Sequence, residues 1–299
     1  MLGDKLRFRF RKVGDLRLLS HHDMMRCLER MLRRGGIPFK STAGFHPGPR
    51  VVFALSLSLG VAGNDEVLEL ELLQPCEDQD VRTRLNAVAP AGLEFTRVAV
   101  VPMKATAVPR RLEYALPIPT DRVAALSERC LELLRNDKIW VERQRPQPKR
   151  LNIRPYLRAL RVDHVSASTP QAERTRGSGY SLDRESSLTT SDGQTASPSR
   201  LLKNADHLLV LDLWVTGTGT ARADELLDLL GVRDVQDAGA VLERRVLEIR
   251  DEHPPSDSAD QPPDGPAESM PLDPHRAAPV EVRPESNQPA GLWNGPVVE

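Results

Sequence analysis

Between Lys5 and Lys12 the chain alternates, with Leu6, Phe8 and Phe10 on one side and Arg7, Arg9 and Arg11 on the other. That two-residue period predicts a half-buried strand with a basic outer face. Val13-Gly14-Asp15 is a turn, after which the period becomes helical. Met24, Met25, Leu28, Met31 and Leu32 fall into one apolar stripe, with His21 on its edge, and predict a helix from His21 to about Arg34. Ser20 stands at the N-cap and Asp23 three residues later, the spacing of a capping box. Gly35 and Gly36 supply a left-handed stop, and Pro38 prevents a restart. Val51–Leu59 and Glu66–Leu73 read as two strands joined by a turn at Gly60 and Gly63-Asn64. Asp78–Val88 reads as a helix and Leu93–Val101 as a strand.

This β-α-β-β-α-β order is the split-βαβ, ferredoxin-like pattern, and the chain then runs through a similar order again. Leu112–Ile118 is strand-like, Asp121–Leu134 an amphipathic helix and Ile139–Glu142 a strand, while Asn152–Leu160 fits no single period. His207–Val215 is a strong strand, Arg222–Leu230 a helix and Val241–Ile249 a last strand. The fold class expected is α+β, with two tandem ferredoxin-like halves at residues 1–108 and 109–250. Residues 163–204 are rich in Ser, Thr, Gly and Arg without apolar periodicity, and read as a disordered insertion in the second half. Residues 251–299 read as a disordered acidic tail.

Charge sharpens this division. The 299 residues carry a net charge of only −1, but residues 1–50 hold twelve Lys and Arg against four Asp and Glu, and residues 251–299 hold ten acidic residues against two basic ones. The ends are electrostatic opposites. The three cysteines, Cys27, Cys76 and Cys130, are too widely spaced for a CxxC pair or a disulfide framework, which fits a reducing, cytoplasmic setting. The charged N-terminus has no signal-peptide h-region, and no apolar run is long enough to span a membrane.

Chemistry concentrates between Leu16 and Arg50. On the predicted helix, Arg26, Arg30, Arg33 and Arg34 form a basic stripe with His22 and Asp23, opposite the apolar one. The loop that follows brings Lys40, Phe45, His46 and Arg50 among glycines and prolines. A cationic helix face beside a loop with one aromatic and one imidazole suits a phosphate-bearing partner, although a merely solvated face has the same pattern. Phe45 can stack on a base or plug the loop onto the core, and the plug is favoured. Ser20, His21 and Asp23 resemble a triad only in sequence, since Ser20 is already used as a cap. The histidines lack the spacing of a metal site, and no metal or other cofactor is expected. Gly217-Thr218-Gly219 lacks the third glycine of a dinucleotide fingerprint and the Lys-Ser/Thr of a P-loop, which leaves a plain turn.

The string S-H-H-D-x-x-R-x-x-x-R-x-x-R-R-x-G-I-P from Ser20, followed by S-T-A-G-F-H-P-x-P-R and L-S-L-G, resembles the radical-SAM-linked protein family, a bacterial domain of unknown function. His22 and His46 stand where that family more usually has Leu and Asn. The resemblance covers about residues 5–160, including P-K-R-L-N-I-R-P-Y, and resumes near 206–250. It implies a companion radical SAM enzyme; with no CxxxCxxC of its own, this chain would be the accessory half. The leading expectation is therefore an accessory RNA-binding protein. Arg26, Arg30, Arg33, Arg34 and Arg50 would contact phosphates, and His21, His22, Asp23, Phe45 and His46 would line the adjoining pocket. The alternatives are an RNA-processing or RNA-modifying enzyme with His21 or His46 as general base, and a scaffold that docks the partner enzyme.

Overall fold

Strand β1 (Lys5–Lys12) is the centre of the first half, flanked by β3 (Ala62–Glu71) and β4 (Leu93–Val101), both antiparallel to it. A computed structural model describes residues 4–144, 147–164, 206–253, 260–261 and 267–271. Helix α1 (His21–Arg34), the short strand β2 (Val51–Phe53) and helix α2 (Asp78–Val88) complete this half, with β2 pairing β3. Leu6, Phe8 and Phe10 face the helices and pack with Met24, Leu28, Met31, Leu32, Val81, Leu85 and Phe95. Phe8 and Phe95 meet edge to face, centroids 5.4 Å apart. Each fully buried side chain of this kind contributes roughly 1.5–3 kcal/mol.

The ends of α1 follow from the residues named above. The Ser20 hydroxyl oxygen accepts from the Asp23 backbone N–H at 3.1 Å and donates to the Asp23 carboxylate at 2.7 Å. At the other end Gly36, not Gly35, takes the left-handed conformation (φ 60°), and Ile37 N–H closes back on Leu32 C=O at 2.9 Å. Arg84 of α2 donates to the carbonyls of Gly35 and Gly36, tying the two helices together.

The second half runs β5 (Pro109–Ile118), α3 (Val123–Arg135), β6 (Trp140–Arg143), β7 (Lys149–Asn152), β8 (Leu157–His164), β9 (His207–Trp214), α4 (Ala223–Leu230), α5 (Arg233–Asp237) and β10 (Glu243–Ile249). It joins the first half through a short parallel pairing of β10 with β3, Glu243 opposite Ala62 and Arg244 opposite Gly63. The chain is thus α+β, built on one mixed eight-stranded sheet in the order β4-β1-β3-β10-β5-β9-β8, with β2 beside β3. Gly63 is needed at this seam, because a Cβ there would lie 2.5 Å from Glu66 Cγ.

Three expectations change. The strand predicted over Val51–Leu59 ends at Phe53; Ala54 still bonds to Val67, but beyond it the chain leaves β3 and lines the junction of the halves, while β10 takes the pairing place at Ala62. The strand predicted at Ile139–Glu142 is displaced to Trp140–Arg143. It pairs with β7 in a separate three-stranded sheet completed by β11 (Ser269–Pro271), and β8 takes the place beside β9. The Asn152 carboxamide fixes the chain at this point, accepting from the N–H groups of Ile139 (2.9 Å) and Arg154 (3.1 Å) at the turn into β8. Thirdly, the predicted insertion loses Asp163 and His164 to β8, and the tail has residues packed on the sheet, described below. The remainder of both segments, 165–204 and most of 251–299, lies outside the described residues.

Candidate nucleic-acid interface

Helix α1 lies on the sheet through its apolar stripe, so the opposite stripe points to solvent. Arg26, Arg30, Arg33 and Arg34 are all exposed there. Arg33 is held by Glu29 one turn earlier (2.8 Å) and lies over the Phe39 ring at 5.4 Å. Arg26 has only a long contact with Asp23, 3.9 Å. Among the described residues, Arg30 and Arg34 have no carboxylate within ion-pair distance. Their field opposes, without outweighing, the effect of burial on Cys27, whose thiol is pushed above its ordinary pKa.

The loop after α1 is a closed projection. Arg50 N–H bonds to Lys40 C=O at 2.7 Å, Ser41 bridges Pro49, and Thr42 N–H bonds to Gly48 C=O at 2.8 Å. At its base Lys40 and Arg50 share the Glu71 carboxylate, at 3.2 and 3.0 Å. Burial of Glu71 opposes ionisation, but the two cations outweigh it and hold the carboxyl below its ordinary pKa. At the tip Phe45 is 102% exposed and His46 is exposed beside it. The expected plug is therefore corrected: the Thr42–Gly48 closure holds the tip clear of the core, and no ring contact reaches Phe45 among the described residues.

The sequence-predicted pocket residues fall into two places. His22 and Asp23 are exposed on the first turn of α1. His21 is exposed as well, but its ring meets Phe53 edge-on at 5.2 Å and lines a small cavity of about 20 Å³ with Phe10, Lys12, Leu57 and Glu66. No hydrogen bond or ring contact connects His21, His22 or Asp23 with Phe45 or His46 among the described residues. The structure therefore offers a surface made of a helix face and a projecting loop rather than an enclosed catalytic pocket. Among the described residues, no group of three or more His, Cys, Asp or Glu side chains converges to hold a metal ion, and no helix is long and apolar enough to cross a membrane. The Gly217–Gly219 turn is pinned by Thr216 to Gly219 backbone bonds, and Glu225 occupies the N-terminal N–H of Arg222 ahead of α4.

A buried polar cluster beside His21 was not legible in the sequence. Arg244 is 1% exposed, and its guanidinium donates to both oxygens of Glu66, to the carbonyls of Leu55 and Ser56, and to the Tyr114 hydroxyl. Burial opposes this charge, yet Glu66 and Tyr114 raise its pKa above the ordinary arginine value. Lys12, on the other side of Glu66, donates to Leu19 C=O at 2.8 Å and is lowered by burial despite Glu66. Arg244 and Tyr114 of this cluster line a cleft of about 520 Å³ between the halves, together with Ser58, Arg222 and Arg233. Because Arg244 has its donors satisfied, it latches the two halves together rather than presenting a free cation.

Residues 5–194 match a family described as an uncharacterized protein conserved in bacteria, DUF2344. No curated protein matches the chain.

Proposed function

The chain belongs to the DUF2344 family of uncharacterized bacterial proteins, and from that premise we propose that it is an accessory RNA-binding protein working beside a radical SAM enzyme in the cytoplasm. The observation that carries the RNA reading is the α1 face: Arg30 and Arg34 stand exposed with no carboxylate partner among the described residues, next to a braced loop that exposes the Phe45 ring. Uncompensated guanidiniums bind phosphate, and the exposed ring on the loop that follows the helix stacks on an unpaired base at about 1–3 kcal/mol per base. Arg26, Arg33 and Arg50 extend the basic surface, each with a carboxylate that already shares its charge. The companion enzyme rests on the motif resemblance from Ser20 to Arg50. Three free cysteines suit a reducing compartment.

The strand orders β4-β1-β3-β2 and β10-β5-β9-β8 support reading the two halves as tandem ferredoxin-like units, with the β6–β7 hairpin inserted in the second. His21 packs against Phe53 and His46 stands on the exposed loop, with no contact between them among the described residues; a base-catalysed reading thus lacks a second converging group, and binding is preferred to catalysis.

The test is titration of a labelled single-stranded RNA at two salt concentrations with the parent protein and an Arg30→Glu/Arg34→Glu variant. The parent is expected to lose affinity steeply as salt rises, and the variant to bind at least about tenfold more weakly with unchanged thermal stability. Equal binding by both proteins would remove the α1 face from the reading; no binding at low salt would end it.

A further inference from the structure

The sheet face turned away from the helices is the other arginine-rich surface, and part of the acidic tail lies on it. Arg7 donates to Asp251 at 2.7 Å, and Arg9 pairs with Glu252. Arg110 donates to His253 C=O at 2.7 Å, to Asp260 C=O, and to the Asp260 carboxylate at 2.8 Å. Arg158 reaches the same carboxylate at 3.6 Å. Two of these guanidiniums lie over the Trp214 ring, Arg158 at 5.3 Å and Arg110 at 5.5 Å from its centroid. An open depression of about 390 Å³ adjoins it, lined by Arg7, Arg9, Arg97, Glu252 and His253, within the size range of small-ligand clefts, about 300–1,000 Å³.

We propose that Asp251, Glu252, His253 and Asp260 act as a pseudo-ligand on a second nucleic-acid surface, an Arg/Trp platform that takes a single strand once they are displaced. The partner follows from the chemistry. The segment presents carboxylate and carbonyl oxygens to arginines as a phosphate backbone would, and guanidinium planes seated on an indole offer their outer faces to a base. A flat strand face with an aromatic group suits single strands, whose bases are free to stack. Displacement leaves the face intact, because each arginine keeps a partner within the sheet: Glu69 for Arg7, Asp65 for Arg9, Glu248 for Arg110 and Asp212 for Arg158. The carboxylates of the segment stay open to solvent, Asp251 at 48% and Glu252 at 34%, so an outside anion can compete for the same arginines. The segment lies beyond the family match, which ends at residue 194, whereas Arg7, Arg9, Arg110 and Arg158 lie within it. The inference rests on the RNA reading but concerns the opposite side of the sheet.

The experiment uses the full chain carrying Asp251→Asn, Glu252→Gln and Asp260→Asn, with Asp260→Asn alone as a milder variant, and a labelled oligouridylate as probe. Each is also made in the Arg30→Glu/Arg34→Glu background. The triple variant is expected to bind at least about tenfold more tightly than its parent in both backgrounds, the single variant less so, and the gain is expected to disappear with Trp214→Ala. Affinities within about twofold of the parent, with the parent binding normally, overturn the pseudo-ligand and leave the α1 reading standing. Failure of every protein to bind overturns both. Binding of a peptide copying residues 251–261, but not of the oligonucleotide, would make the platform a peptide site and overturn the proposal.

Discussion

The arginines of α1 and those of β1 lie within thirty residues of each other and have opposite fates. Arg30 and Arg34 stand in solvent without an ion-pair partner among the described residues, whereas Arg7 and Arg9 are each 4% exposed. Arg7 has Glu69 on the neighbouring strand and Asp251 from the far end of the chain; Arg9 has Asp65 and Glu252. Burial alone would depress the Arg7 pKa, but the hydrogen bonds it donates to Asp251 and Glu69 raise it. A guanidinium is buried here because other elements bring the compensating charge, and left exposed there because nothing does. Only the uncompensated group retains its full attraction for an outside anion.

The buried extreme of that comparison is Arg244, and breaking it should give the largest effect. Glu66→Leu leaves a buried guanidinium unpaired and is expected to cost roughly 3–5 kcal/mol in urea unfolding, whereas Glu66→Leu combined with Arg244→Met should restore most of the loss. Full stability in the single variant would show that the latch is not buried in solution. The exposed extreme is expected to behave in the reverse way: Arg30→Glu/Arg34→Glu should alter RNA affinity by at least about tenfold and leave the unfolding midpoint in place.

Smaller effects sharpen the contrast. Ser20→Ala should destabilise by about 1 kcal/mol, since it removes the cap of the helix that displays the arginines. Phe45→Ser should change stability by less than about 0.5 kcal/mol, because the ring leaves no core contact, while weakening RNA binding; a larger loss of stability would restore the plug. The Glu71 anchor is an intermediate case. Its pKa is depressed in the folded chain, so its contribution is present above the unfolded value of about 4.3 and is lost as pH falls through the folded value. Amide exchange at Arg50 should therefore accelerate as pH falls below the ordinary carboxylate range, and Glu71→Gln should abolish that dependence. Finally, burial pushes the Cys130 thiol up to about 11, so a thiol reagent at neutral pH should modify Cys130 only after unfolding.

Much of the local structure was legible. The helix over His21–Arg34, its serine cap and its glycine stop follow from residues within a few positions of each other, as does α2 at Asp78–Val88. The exposed stripe of α1 was legible for the same reason: a helix with one apolar face has one place to bury it. Leu157–His164 was not, because Leu157 and Leu160 are spaced like a helix while both pack on β9. Phe45 was misjudged because apolarity argues for burial, whereas a loop closed by Thr42 and Gly48 has no core within reach.

By itself the sequence determined the period of each element, the caps of α1, the basic stripe and the opposite charges of the two ends. Those properties depend on neighbours three or four residues apart. Only the tertiary structure decided which cations are available. The basic side of β1 alternates as a solvent-facing strand would, yet Glu69 and tail residues more than 240 positions away enclose Arg7. Burial of a charge depends on where distant counter-charges arrive, and a local pattern carries no record of that.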